Sequence, residues 1–117
     1  MGGAEEWKEV TESVVNEVKL ANQQRPGFCE IAQTSPFISL RRRDNHTAVF
    51  EFDEHRRMIS VTFPIMGEGT PRNGKFKVTP DGLIRKEQFV GKPEPSSNPL
   101  LPHEFAKLIL EPFLDAV

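Results

Sequence analysis

Tyrosine is absent from the 117 residues, and tryptophan and cysteine occur once each. A lone cysteine, Cys29, excludes an intramolecular disulfide and suits a reducing compartment. No stretch approaches the ~18 apolar residues of a membrane span. The acidic opening, MGGAEEWKEV, has no apolar centre and does not read as a secretory signal. It begins Met-Gly, but Glu6 stands where myristoylation requires Ser or Thr. Together these absences lead us to expect a soluble cytoplasmic chain with no membrane contact.

Local catalytic signatures are also scarce. His46, His55 and His103 are far apart, with no i, i+4 pair and no Cys/His box, so no metal and no cofactor is expected. The segment GEGTPRNG lacks the GK[ST] of a phosphate loop and precedes KFKV, which reads as a strand. We read 64–74 as a long loop able to contact a ligand. Cys29 lacks a C-x-x-C context, and a lone cysteine usually packs as a small hydrophobe.

Net charge is small, −2, which gives no overall field toward nucleic acid or membranes. Its distribution is uneven. Residues 1–24 carry a net −3, residues 41–92 a net +4, and the tail from 93 a net −3. Ten prolines and eight glycines point to many turns.

The acidic start reads as a helix over 1–24. Trp7, Val10, Val14, Val18 and Ala21 recur at spacings of three and four, which makes one apolar stripe. Pro26 and Gly27 end it. The basic middle, 28–90, reads as strands instead. Ile38, Leu40, Ala48, Phe50, Phe52, Ile59, Val61 and Phe63 alternate with polar residues and share one buried face. Facing Leu40 with Phe50 leaves Asp44-Asn45-His46 as a three-residue hairpin loop. Facing Phe52 with Ile59 leaves His55-Arg56, or a longer loop. TPDGL is a turn, because Pro80 presets φ and Gly82 accepts a positive one. The inward side of the last strand is Leu83 and Phe89, or Ile84 and Val90. FCEIAQ, 28–33, is a further strand or an entry segment.

Residues 91–101 form a proline-rich tether, and 102–117 a second helix. Its stripe is Phe105, Leu108, Ile109 and Phe113, widened by Leu110 and Leu114. Pro112 removes the bond to Leu108 and should kink or shorten it. The expected fold is α+β in one domain, 1–117. It has an N-terminal helix, an antiparallel meander of four to five strands and a C-terminal helix, with both helices on one sheet face.

Five arginines surround one apolar strand in LRRRDNHTAVFEFDEHRRM, 40–58. Period two places Arg41 and Arg43 on the outer face and turns Arg42 toward the core. Arg56 and Arg57 fall at the other end of the strand, so the clusters read as separate, solvated edge charges. A wider basic face would join Arg41 and Arg43 to Lys75, Lys77 and Arg85. Nucleic acid is the less favoured partner, because the expected outer positions hold no aromatic for base stacking. The leading functional expectation is a non-catalytic domain that binds a protein partner or a small ligand. An alternative is an enzyme or ligand-binding protein with a pocket between the sheet and the last helix, with His103, Glu104 or Cys29 as its polar groups. A homodimer or protein contact is expected through the C-terminal helix or a sheet edge.

Overall fold

The computed structural model describes residues 3–63, 72–91 and 94–115. Helix α1 (Ala4–Gln24) leads into strands β1 (Cys29–Thr34), β2 (Phe37–Arg42), β3 (Thr47–Asp53), β4 (Met58–Phe63), β5 (Arg72–Val78) and β6 (Ile84–Val90), and helix α2 (Pro102–Asp115) closes the chain. The strands form one antiparallel sheet in chain order, a meander of six strands. That is slightly more than the alternation alone resolved, because CEIAQT is only half amphipathic and depends on β2 for its pairing. Among the described residues no helix is long and apolar enough to cross a membrane.

Side chains of alternate strand residues enter a single core. Ile38, Leu40, Ala48, Phe50, Phe52, Ile59, Val61 and Phe63 are all buried, as period two requires. From α1, Val10, Val14 and Val18 pack on them, and Trp7 stacks on Phe52 with ring centroids 5.4 Å apart. From α2, Phe105 meets Phe76 at 4.7 Å and Phe113 meets Phe63 at 5.6 Å. Each such buried side chain contributes roughly 1.5–3 kcal/mol of transfer free energy. Leu108 is not part of this stripe. It stays exposed while Ala106 is buried, because the contact arc of α2 runs through 105, 106, 109, 110 and 113.

The turns refine the register. Ile38 faces Phe50 and Leu40 faces Ala48, two residues off the expected pairing but with the same buried face. The loop still has three residues, Arg43-Asp44-Asn45, closed by Arg42 N donating to the His46 carbonyl at 2.7 Å. Asn45 takes the left-handed position at φ 70, which asparagine tolerates well. Phe52 faces Ile59 as read from the pattern, and the connection is the longer one, Glu54–Arg57, with Arg57 at φ 55.

Strand β6 takes one inward residue from each expected set. Ile84 is buried, while Phe89 packs edge-on against Phe76. A register shift at Lys75/Phe76 inserts an extra residue in β6, which reverses the parity midway. The change brings Phe89 inward, whereas Lys86 shares the parity of Ile84, and its ammonium donates to Glu94 at 2.8 Å and to the Pro95 carbonyl at 3.0 Å. These bonds, and a Leu100–Ile84 bridge, fasten the described part of 91–101 to the sheet edge. The expected loop 64–74 lies outside the described residues over 64–71. Arg72, Asn73 and Gly74 belong to β5 instead, paired with Phe63, Thr62 and Val61.

Candidate functional site

Both helices end at the same corner of the sheet. Neither carries a basic residue in its last turn. Two arginines from elsewhere in the chain supply that charge. Arg25, just past α1, donates through Nη2 to the Leu114 carbonyl, and its guanidinium lies 3.9 Å from the Phe28 ring centroid. Arg42, at the end of β2, donates through Nη1 to the Phe113 carbonyl at 2.9 Å. Its Nη2 binds Asp44 Oδ2 at 2.6 Å. The last carbonyls of a helix have no partner within it and carry partial negative charge. The two guanidiniums answer both needs. The helix continues past Pro112 to Asp115.

Arg42 is 6% exposed and points inward, as alternation along β2 requires. Its neighbours point the other way. Arg41 lies on the open face, bound to Glu30 Oε2 at 3.0 Å, with the two side chains 61% and 74% exposed. Arg43 is in the turn, not on the outer face; its amide donates to the Phe28 carbonyl at 2.8 Å, and its guanidinium makes a long hydrogen bond to the Pro26 carbonyl at 3.4 Å. Around these residues is a cleft of about 260 Å³, lined by Gly27, Glu30, Arg41, Arg42, Arg43 and Asn45. The consecutive arginines therefore reach one cleft, although they leave the backbone in different directions. Gly27 adopts φ 71, which lets the chain reverse between α1 and β1 and form one wall.

Electrostatically the cleft has three guanidiniums against the single carboxylate of Glu30. Arg42 is committed at its back to Asp44 and α2. The Asp44 carboxyl is held below its usual range. Partial desolvation opposes that, and hydrogen bonds from His46 together with the Arg42 charge outweigh it. Arg41 and Arg43 hold the donors that face solvent.

The other sequence candidates are elsewhere. Lys75, Lys77 and Arg85 do share the outer face with Arg41, and Lys77 pairs directly with Arg85 across β5 and β6. Yet Lys75 is three strands and four residues from Arg41, roughly 20 Å at ~4.8 Å per strand and ~3.3 Å per residue. The wider basic face divides into two corners, with Glu51 between them on β3. His103 is exposed in the first turn of α2, and Glu104 Oε1 accepts from the Leu101 amide at 3.0 Å as a cap. Cys29 is buried at the far end, paired with Arg42 in the β1–β2 ladder. Arg42 touches Phe113, ten residues beyond His103, or about 15 Å of helix. His103 and Cys29 therefore do not converge. Burial pushes the Cys29 thiol up to about 11, so about one molecule in ten thousand is thiolate at pH 7. Among the described residues no group of three or more His, Cys, Asp or Glu is arranged to hold a metal ion.

Two residues of this corner escaped sequence reading. Gly27 reads in the sequence as helix punctuation and Arg25 carries no signal, and only the meeting of α1, α2 and β2 gives them a role at this corner. Comparison of the chain with family models, with curated proteins and with solved structures finds no match.

Proposed function

We propose that this chain is a binding domain that holds an oxyanion, the phosphate or carboxylate of a small ligand or of a protein partner, in the cleft at Arg41 and Arg43. The observation that carries the reading is the convergence of three consecutive arginines on one cleft of about 260 Å³ with a single carboxylate in its lining. Guanidinium presents a planar fork of donors that matches phosphate and carboxylate geometry. An exposed ion pair such as Arg41–Glu30 contributes little, so an incoming oxyanion can displace Glu30 at low cost. Arg42, pinned by α2, keeps the floor of the cleft rigid. The buried, protonated Cys29 and the isolated His103 favour binding over catalysis.

Titration of isotope-labelled protein with inorganic phosphate and with citrate, followed by amide chemical shifts, tests this. Saturable shifts at Gly27, Arg43 and Asn45 are expected, with both Arg41→Ala and Arg43→Ala weakening them and Lys75→Ala leaving them intact. A preference for citrate would point to a carboxylate ligand, and one for phosphate to a phosphorylated ligand. Equal, non-saturating shifts at every basic residue would overturn the reading. Binding should weaken as ionic strength rises.

A further inference from the structure

The face of the sheet turned away from the helices has a symmetry of charge about its fourth strand. Strands β3, β4 and β5 present three successive cross-strand rows there. The first is Val49, Thr62 and Asn73, the second Glu51, Ser60 and Lys75, and the third Asp53, Met58 and Lys77. None of these nine residues is buried. The acids all lie on one side of β4 and the bases on the other, in the same two rows. Among the described residues Glu51, Lys75 and Lys77 have no ion-pair partner within the chain, and Asp53 accepts from the Arg56 amide at 3.1 Å with a looser 3.8 Å ion pair to the same residue's guanidinium. The row through Val49 is uncharged across all six strands, from Ala32 and Ser39 to Val90.

We infer that this face binds a second copy of the chain, with the twofold axis of the pair running along β4. Such an axis places β3 of one copy over β5 of the other. Glu51 then faces the second copy's Lys75, and Asp53 its Lys77, each pair formed twice. Ser60, Thr62 and Met58 meet their own equivalents on the axis, which is the self-complementarity an isologous interface requires. The outer strands follow the same operation, β2 over β6. That covers Phe37 and Val90, two of the large apolar side chains left exposed in a single copy.

Twist does not oppose this arrangement. A twofold along a strand maps a uniformly twisted sheet onto its own shape, so two such sheets stack at constant spacing, ~10 Å. Two rows across five strands and a third across three, at ~4.8 Å by ~6.7 Å per position, give roughly 420 Å² of face per copy. Both copies together bury roughly 840 Å² before side-chain relief is counted, the scale of a weak, transient interface. The interface is polar, so association should be moderate and sensitive to salt.

Sedimentation equilibrium of the full chain across concentration and salt tests the pairing. A dimer at low salt that weakens as salt rises is expected. The double variant Lys75→Glu/Lys77→Glu sets four carboxylates against four in its own dimer and should weaken association by roughly a hundredfold or more. Glu51→Lys/Asp53→Lys should do the same with the opposite sign. Mixing the two variants restores complementarity at both halves of the axis, so a heterodimer should form that neither makes alone. That recovery also shows that both variants are folded. A wild-type chain that stays monomeric at millimolar concentration and low salt would overturn the inference. So would a dimer indifferent to both charge reversals, since its interface would then lie on α2 or a sheet edge.

Discussion

Arg41 and Arg42 are adjacent in sequence and opposite in circumstance. One is on the open face of the sheet, paired with a carboxylate as exposed as itself. The other is buried and joins β2 to the end of α2. The same contrast runs along the whole sheet. Inward positions fix the fold, whereas outward positions are spared that duty and carry the charges available for binding. Chemical identity does not decide which role an arginine takes; parity within the strand does.

Substitution at the two arginines is the strongest way to test that contrast. Arg42→Ala should destabilise the fold by roughly 2–3 kcal/mol, because it strips the Phe113 carbonyl and Asp44 of a charged partner and opens a gap beside Phe28. Thermal or urea unfolding would register it as a loss of roughly ten degrees in Tm. A loss no larger than that of a surface arginine would break the distinction between the faces.

Strand β5 repeats the comparison without charge burial. Gly74 points inward, and a Cβ there would stand 2.6 Å from Phe89 Cδ2 and 2.7 Å from Phe76 Cε1. Both rings are held by neighbours, Phe76 by Phe105 among them. Gly74→Ala should therefore cost about 1–3 kcal/mol through overpacking. Its outward neighbour offers the control, since Lys75→Ala should fall within about 0.5 kcal/mol of the parent in the same urea titration at high salt, where pairing of two copies is weak.

Much of this division was legible in the sequence. Period two named the buried faces of β2, β3 and β4 and turned Arg42 inward, because alternation depends only on local geometry. The stripe of α1 was legible for the same reason. What escaped was non-local. The parity change in β6 depends on a bulge opposite Lys75 and Phe76, which no run of residues in LIRKEQFV announces. The register of the β2–β3 hairpin turned on a single left-handed Asn45. The cleft was invisible because Gly27 and Arg43 meet only when β1 folds back on β2. Sequence spacing put Arg41 and Arg43 on one face, and the structure unites them by a turn instead.

At β1 the inward residue is Cys29 and the outward one Glu30. The thiol's ordinary value near 9.0 rises to about 11 through burial. Between those values the unfolded chain releases a proton that the native chain keeps, so stability should fall as pH climbs through that window. The loss should be on the order of 2 kcal/mol by pH 11. Cys29→Ala should flatten this segment of the pH profile. A profile that stays unchanged would place the thiol in water, contrary to its burial. Alkylation at neutral pH should be slow in the native state and fast in urea.

The smallest stability effect belongs to the outward arginine. Arg41→Ala removes only an exposed ion pair with Glu30, worth about 0–1 kcal/mol, so the urea midpoint should barely move. Phosphate or citrate binding at the cleft should drop sharply in the same variant, because Arg41 supplies donors that the pinned Arg42 cannot replace. Stability and binding would then separate at neighbouring residues, one variant unfolding and the other folding but failing to bind. If Arg41→Ala instead lowered stability as far as Arg42→Ala, the open face would be structural too. The cleft would then be a by-product of the way the two helix ends are capped.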